Sequence, residues 1–451
     1  MKKDNIFDTS DSEKIKKIFD FSEGYKSFLD EAKTERLAVI TAISAAKEFG
    51  FSEYVPGEKL SPGDKKYFNN RGKSLFIFKI GNEDLAENGM RILAAHIDSP
   101  RLDLKQVPLY EESGMAYFKT HYYGGIKKYQ WTAIPLSLHG VIVKKDGTEV
   151  TVRIGDNPGD PVFYISDLLP HLSQEQNLKP LGTAITGESL NIMVGGLPLK
   201  EDGQDGSVKL GVLKILNDAY GITEEDFISA ELTCVPAFNA RDIGFDRALI
   251  GAYGHDDRVC AYPLLRAVFE CESEHTVLGV LADKEEIGSL GNTGMQSMVL
   301  LDLIHSVSES LGCSPVAVRA SSKCLSADVN AAFDPNFKDV YEARNSAMIS
   351  CGTTMSKYTG ARGKSGTSDA SAEFVGFVRR IFDMRGVKWQ TSELGRVDLG
   401  GGGTIAMYIA NLNIDTVDLG VPVISMHAPY EVVSKADVYS TYEAFRAFIE
   451  C

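Results

Sequence analysis

The sequence predicts an α/β fold, in which a layered α/β domain is interrupted by an inserted β-rich segment. The chain has 451 residues, more than the ~250–300 at which a single hydrophobic core usually stops growing. Strand-like and helix-like segments alternate after residue 250, whereas residues 101–235 contain strand-like segments and turn signals. We therefore expect residues 1–100 and 236–451 to form one domain and residues 101–235 to form the insertion.

The N-terminal part begins with helical periodicity and then changes to strand patterns. Apolar residues recur at helical spacing at 15, 18 and 19, and again at 37, 40 and 43 before Gly50, which predicts two helices. Short apolar runs at 74–80 and 91–95 are typical of buried strands.

The insertion and the C-terminal part differ in their patterns. In the insertion, Val150, Val152 and Ile154 alternate with polar residues, and the pair Asp146-Gly147 predicts a hairpin turn within 140–155. After residue 250 we expect a helix over 259–270, strands over 276–282, 315–320 and 421–426, and a final helix near the C-terminus.

The composition is that of a globular protein with an acidic surface. Hydrophobic residues make up 43% and charged residues 24%, and the formal net charge is −15. Such a surface repels phosphate backbones and anionic lipids, which argues against nucleic acid and membrane partners. The N-terminus lacks the apolar core of a signal peptide, and none of the seven cysteines forms a Cys-x-x-Cys pair. We therefore expect a cytoplasmic protein.

Charged side chains and imidazoles follow several of the predicted strands. In open α/β sheets, ligands bind beyond the carboxyl ends of the strands, so we expect these side chains to meet at one sheet edge. They are His96 and Asp98 after 91–95, Asp283, Glu285 and Glu286 after 276–282, Asp328 downstream of 315–320, His427 at the end of 421–426, and Asp256 ahead of the helix at 259–270.

This mixture of imidazole and carboxylate suits Zn²⁺, Mn²⁺ or Co²⁺. Five ligands with one shared carboxylate would hold two ions, and two ions ~3.5–4 Å apart can drive a hydrolysis. Each residue also has an ordinary structural explanation: a buried histidine for His96, a helix N-cap for Asp256, solvated charges for Glu285 and Glu286, a turn cap for Asp328 and a surface position for His427.

Two glycine-rich segments suggest other ligands. GARGKSG (360–366) contains Gly-Lys-Ser, but a phosphate loop requires a glycine five residues before Gly363, and that position is Tyr358. DLGGGGT (398–404) permits a close approach of backbone to a ligand, or forms a flexible turn. The sequence therefore excludes an ATPase loop of this type.

Five motifs, taken in order, resemble those of the aspartyl aminopeptidase and vacuolar aminopeptidase I family of metallopeptidases. They are AAHIDSPR (94–101), GHDDRVCAY (254–262), DKEEIGS (283–289), SADVNAA (326–332) and SMHAPYE (425–431). The resemblance extends over nearly the whole chain. It implies an aminopeptidase that acts on peptides with a free N-terminus and uses two divalent metal ions per subunit, most often zinc.

The resemblance also assigns the metal ligands. Asp256 would bridge the two ions. His96 and Asp328 would complete one metal site, and Glu286 and His427 would complete the other.

Two further residues receive catalytic roles from the resemblance. Glu285 would be the general base, and Asp98 would orient His96. Asp283 receives no role, although it lies in the same motif.

In this family the inserted segment builds a dimerisation domain, and the dimers assemble into a dodecamer. A histidine in a Leu-Pro-His-Leu stretch reaches the active site of a neighbouring subunit, and His171 is similar to it. The alternative is that His171 is an ordinary residue after Pro170 at the start of a helix.

The resemblance leaves the specificity open. Aspartyl aminopeptidases bind acidic N-terminal side chains with a basic residue, and Lys364 or Arg362 lies in the corresponding region, although GARGKSGTSDAS departs from the family pattern. A preference for neutral, apolar N-termini is the alternative, with these residues as surface cations. Two rival classes are a two-metal deacylase or dipeptidase, and a non-catalytic assembly or cargo protein.

Overall fold

The computed structural model describes residues 3–200 and 206–451, which form two compact units. The first unit contains the described residues up to Ser99 together with Ala240–Met426 and Glu431–Cys451. The second contains the described residues of Pro100–Asn239 together with His427–Tyr430. The insertion was expected at 101–235.

The helices and strands of the described residues are as follows. The α-helices are α1 Ile6–Thr9, α2 Ser12–Glu31, α3 Glu35–Glu48, α4 Leu85–Asn88, α5 Gln174–Asn177, α6 Leu181–Ala184, α7 Val208–Tyr220, α8 His255–Glu270, α9 Val299–Ser310, α10 Pro315–Ser321, α11 Ala372–Arg385, α12 Ala406–Ala410 and α13 Lys435–Ile449. The strands are β1 Ser52–Glu53, β2 Lys65–Asn70, β3 Ser74–Lys79, β4 Met90–His96, β5 Arg101–Glu112, β6 Met115–Tyr123, β7 Pro135–Val143, β8 Glu149–Ile154, β9 Phe163–Tyr164, β10 Ile192–Gly195, β11 Ala230–Pro236, β12 Arg241–Ile243, β13 Leu249–Ala252, β14 Thr276–Ala282, β15 Lys323–Ser326, β16 Asn330–Ala331, β17 Thr353–Ser356, β18 Gly360–Ala361, β19 Trp389–Thr391, β20 Gly401–Gly402, β21 Asp415–Gly420, β22 Pro422–Ile424 and β23 Glu431–Ser434. Within residues 3–200 and 206–451, no helix has the length and apolarity that a membrane span requires.

A mixed sheet forms the centre of the first unit. Its strand order is β1-β2-β3-β14-β4-β15-β21-β17-β19, and β14, β4, β15 and β21 run parallel to one another. Every residue of β4 and β14 is buried. The apolar runs at 74–80, 91–95 and 276–282 therefore form strands as predicted, because such runs suit a sheet that is covered on both faces.

Alternate residues of the central sheet enter two separate hydrophobic clusters. Leu93 and Ala95 pack in a cluster with residues of α2, α3, α8, α11 and α13. Ile92 and Ala94 pack in another cluster with residues of α9, α10 and α12. Because successive side chains of a strand point to opposite faces, helices cover the sheet on both sides.

The segment at 315–320 forms helix α10, so the prediction of a strand there is wrong. Ser314 caps the helix by accepting a hydrogen bond from the backbone N–H of Ala317, and Pro315 stands at the first helical position. The strand comes later, as β15. The cap signals outweigh the β-branched composition of Val316 and Val318.

The first unit contains a smaller sheet and a ribbon beside the central sheet. The smaller sheet has the strand order β12-β13-β23-β22-β16. The ribbon pairs β18 with β20 in antiparallel fashion. It therefore connects the two glycine-rich segments, 360–366 and 398–404.

The second unit is built on an antiparallel sheet. Its strand order is β11-β5-β6-β10-β9-β7-β8, with an additional pairing of β11 with β7 that closes the sheet on itself. The predicted hairpin is present as β7 and β8, and its turn contains Asp146, which accepts a hydrogen bond from the N–H of Thr148 at 2.8 Å.

Candidate metal centre

Three parallel strands of the central sheet end at the same edge. His96 is the last residue of β4 and pairs in register with Ala282, the last residue of β14. Strand β15 ends at Ser326, two residues before Asp328. The carboxyl ends of these strands therefore bring His96, Asp328 and the loop after β14 together, as the sequence predicted.

Asp256 and His427 come from a different part of the chain. Asp256 lies in the first turn of α8, which follows β13 of the smaller sheet. His427 follows Met426 and belongs to the second unit. Asp256 therefore follows a strand of a separate sheet, in which β13 and β22 pair with β23, and reaches the edge of the central sheet from there, 3.1 Å from His96.

The ligand atoms of the first unit form a tight cluster around His96. The Nε2 atom of His96 lies 3.1 Å from Oδ1 of Asp256 and 3.7 Å from Oδ1 of Asp328. His96, Glu285 and Glu286 also offer ligand atoms that all lie within 4.8 Å of one another. His96 thus belongs to two groups of three ligand atoms, and the atoms of each group are close enough together to bind a cation.

The imidazole of His96 is oriented by the backbone of Asp98. The carbonyl oxygen of Asp98 lies 3.0 Å from Nδ1 of His96, whereas its Oδ1 lies 3.5 Å away. In the neutral imidazole that a metal ion would bind, Nδ1–H donates to this carbonyl and the lone pair lies on Nε2, on the side of the carboxylates. The Asp98 carboxylate also accepts hydrogen bonds from the N–H groups of Glu285 and Glu286, at 3.1 and 3.2 Å.

The cluster carries an excess of negative charge in a buried position. Burial alone would lower the pKa of His96, but hydrogen bonds to Asp256, Asp328 and Asp98 raise it well above its usual value. Burial and the neighbouring carboxylates, Asp328 foremost, raise the pKa of Glu285 to about 8. Both shifts show that this site attracts positive charge, which is what a divalent cation supplies. The donor set therefore fits a metal centre.

Two residues that support the site were not singled out from the sequence. Ser99 donates a hydrogen bond from Oγ to the backbone oxygen of Asp256 at 2.5 Å, and the N–H of Asp256 donates to Oε2 of Glu431 at 3.2 Å. Both side chains are buried. Ser99 lies in the motif AAHIDSPR and Glu431 closes SMHAPYE, so the signal was a polar residue in each motif besides the proposed ligands.

The two predicted substrate-binding residues lie in different units. His171 is exposed in a short 3₁₀ turn, Pro170–Leu172, of the second unit. Lys364 belongs to the first unit, where its Nζ atom lies 2.9 Å from Oδ2 of Asp369 and 3.7 Å from the ring centroid of Tyr358. Lys364 also lines a cavity of about 160 Å³ with Arg362 and Glu393.

The fold and the site together define an α/β metalloprotein whose ligands gather at strand ends. The profile of the aminopeptidase I zinc metalloprotease (M18) family matches residues 28–449. The chain therefore belongs to the M18 family of zinc aminopeptidases. This finding confirms the predicted family and the predicted class of enzyme, a metalloaminopeptidase, and it supports zinc as the metal.

Similar proteins agree with this assignment. The chain is 48% identical to a probable M18 family aminopeptidase 1 of Clostridium acetobutylicum, over 99% of this chain and 97% of that protein. The crystal structure of an M18 aminopeptidase of Thermotoga maritima has a TM-score of 0.94 at 44% identity and covers 100% of this chain and 99% of that one. The yeast mApe1 dodecamer shares the fold, with a TM-score of 0.78 at 22% identity over 95% of this chain and 96% of that one.

Proposed function

We propose that this aminopeptidase hydrolyses the first peptide bond of its substrates with two metal ions. Asp256 would be shared by the two ions, His96 and Asp328 would complete one site, and Glu286 and His427 would complete the other. The observation that carries the proposal is the cluster around His96, in which Asp256 and Asp328 both lie within 4 Å of Nε2. His427 fits its role because its Nδ1 lies 2.8 Å from the oxygen of Gly125; donation from Nδ1 leaves the lone pair on Nε2.

The protein supplies the proton transfers. Bound zinc lowers the pKa of water and polarises a carbonyl group. The Glu285 carboxylate takes one proton from the water as its oxygen forms the C–O bond to the carbonyl carbon, and then delivers that proton to the amine nitrogen as the peptide C–N bond breaks. Asp98 holds the N–H groups of Glu285 and Glu286, which fixes the base relative to the ligand beside it.

The substitution Glu285→Gln tests this mechanism. The amide keeps the size of the side chain but cannot accept the proton, so we expect at least a ~10²-fold loss of kcat with an unchanged zinc content. Leucyl-anilide hydrolysis and plasma emission spectroscopy measure the two quantities. Glu309→Gln is the control for an unrelated glutamate. Wild-type turnover in Glu285→Gln would remove Glu285 from the role.

The contacts of Lys364 favour neutral over acidic N-terminal residues. An acidic side chain would have to compete with Asp369, which already pairs with the Lys364 ammonium group at 2.9 Å. Lys357 contacts the same carboxylate. The alternative, that Lys364 selects acidic N-termini, therefore requires the Asp369 pairing to break.

A panel of aminoacyl-anilides decides between the two specificities. We expect kcat/KM to be higher for Leu and Met than for Asp and Glu. We also expect Lys364→Met to change the value for Leu by less than about two-fold, because the pair with Asp369 is partly exposed and contributes little. A preference for Asp that disappears in Lys364→Met would establish the acidic specificity instead.

We also propose that the second unit is a dimerisation domain and that the chain self-associates as far as a dodecamer. The support is a set of exposed leucines in this unit, because such patches mark interaction surfaces; they are Leu168, Leu169, Leu172, Leu178 and Leu181. The dodecameric assembly of the yeast relative agrees with the proposal. His171 lies among these leucines, where a neighbouring subunit would meet it. Sedimentation velocity measures the assembly, and a monomer at micromolar concentration would contradict it.

A further inference from the structure

Asp283 is a buried carboxylate that the proposed mechanism does not use. It follows β14 directly and is 2% exposed. Thr293 donates a hydrogen bond from Oγ1 to Oδ2 of Asp283 at 2.5 Å, and Asp283 forms an isolated parallel bridge with Gly294. These contacts join the two ends of one loop, residues 284–293, which contains Glu285 and Glu286.

The loop is also held by its own backbone. The N–H of Ser289 donates to the oxygen of Lys284 at 2.6 Å, and the N–H of Gln296 donates to the oxygen of Ser289 at 3.0 Å. A Cβ atom on Gly294 would lie 2.3 Å from the oxygen of Ser289. The two ends of the loop are therefore packed closely at the point where Asp283 meets Thr293.

Asp283 lies among groups of its own charge. Burial and the nearby carboxylates of Glu35 and Asp98 raise the pKa of Asp283 to about 6, against the opposing effects of Thr293 and Lys73. A buried carboxylate in such surroundings needs hydrogen bonds to be stable. The Thr293 hydroxyl supplies one, so the loop end and the carboxylate hold each other in place.

We propose that the hydrogen bond between Thr293 and Asp283 is a positioning contact that places the Glu285 carboxylate for proton transfer. The Glu285 loop is fixed at its start by the Asp98 carboxylate, through the N–H groups of Glu285 and Glu286. Asp283 and Thr293 hold the two ends of this loop together. A displacement of a catalytic group by about 1 Å can cost ~10²-fold in rate. Loss of the hydrogen bond between Thr293 and Asp283 therefore lowers turnover. The inference rests on the proposed role of Glu285.

Thr293→Val and Thr293→Ser form a matched pair for the test. Valine keeps the shape and removes the hydroxyl, whereas serine keeps the hydroxyl. We expect kcat to fall about 10-fold or more in Thr293→Val, with KM within about two-fold of the wild type, and Thr293→Ser to restore most of the turnover. Thr441→Val is the control for loss of a buried threonine hydroxyl, since Thr441 bonds within helix α13 to the oxygen of Asp437.

Hydrogen exchange gives a second measurement that does not depend on activity. Peptides covering 284–294 should exchange faster in Thr293→Val than in the wild type or Thr293→Ser, while peptides covering β4 and β14 exchange at the wild-type rate. If Thr293→Val does not yield folded protein, Thr293→Ala removes the same hydroxyl with a smaller side chain.

The outcomes separate this inference from the proposed function. Turnover and loop exchange within about two-fold of the wild type in Thr293→Val would overturn it, as would an equal loss of kcat in Thr441→Val and Thr293→Val. If Glu285→Gln is inactive and Thr293→Val has wild-type kcat, only the positioning role fails. If Glu285→Gln is fully active, the proposed function fails whatever Thr293→Val does.

Discussion

Glu285 and Glu286 are neighbours in the sequence, and backbone hydrogen bonds fix the positions of both residues. They begin a 3₁₀ turn, Glu285–Ile287, after Lys284, whose φ of 67° reverses the chain. Their N–H groups bind the two oxygens of one carboxylate, that of Asp98. Because adjacent side chains leave the backbone in different directions, one can act as a base while the other binds a metal ion.

At the scale of residues, metal removal should destabilise the protein. A ligand that binds only the folded state adds about 2.7 kcal/mol at 100 times its dissociation constant, and the carboxylates clustered around His96 repel one another without a cation. We expect chelation to lower the Tm in scanning calorimetry and zinc to restore it. Glu285→Gln should show the same shift, because it keeps the proposed ligands. An identical Tm before and after verified zinc removal would contradict the prediction.

At the scale of elements, the backbone at the start of α8 requires a glycine. Gly254 precedes the helix with φ 73°, and a Cβ atom there would lie 1.3 Å from Nη2 of Arg258. That guanidinium group cannot move cheaply, since it is buried and donates to the oxygens of Ala32 and Gly254 at 2.6 and 3.0 Å. The glycine therefore positions the turn that contains Asp256.

Gly254→Ala should be much more destabilising than a comparable change elsewhere. Gly312 also has a positive φ, 71°, but a Cβ atom there would meet open space. We expect Gly312→Ala to cost about 1 kcal/mol and Gly254→Ala to cost roughly 2–3 kcal/mol more, because buried hydrogen bonds of Arg258 must break. Urea unfolding of the zinc-free proteins measures both. Equal costs would show that Arg258 moves away from the new Cβ atom without any loss of stability.

At the scale of the whole molecule, stability should depend on pH through Asp437. This residue is fully buried at the start of α13, and its carboxylate accepts hydrogen bonds from the N–H groups of Ser350 and Gly352 at 2.7 Å. Burial raises the pKa of Asp437 to about 8, against the effect of these two bonds. At pH values between the pKa of Asp437 in the unfolded state and its pKa in the folded state, the folded state then binds more protons than the unfolded state.

The sign of the effect follows from this difference. The stability that protonated Asp437 contributes is present below the unfolded pKa of about 3.9 and is lost as pH rises towards 8, by at most about 1.4 kcal/mol per pH unit. We expect the unfolding free energy of the wild type to fall relative to that of Asp437→Asn between pH 5 and 8. Asp415→Asn, at an exposed position, is the control. A constant difference would show that Asp437 ionises normally.

The family motifs, the buried strands and the residue types of the candidate metal centre were predictable from the amino-acid sequence alone. These properties are local: an apolar run predicts a buried strand, and a histidine or carboxylate just after it predicts a ligand. For that reason His96, Asp328 and Glu286 were found at the ends of parallel strands. The segment at 315–320 shows the limit of local patterns, because a serine cap and a proline made a helix of residues with strand propensity.

Which elements of the chain meet depends on the folded structure and not on local sequence. Asp256 follows a strand of the smaller sheet, a fact that depends on pairings between β13, β23 and β22 far apart in the sequence. The contacts of Asp98 with the Glu285 loop span nearly two hundred residues, and the sequence does not show that Lys364 pairs with Asp369. Hydrogen bonds and ion pairs form between groups that the folded chain brings within about 3 Å. A pattern in the sequence does not specify those distances.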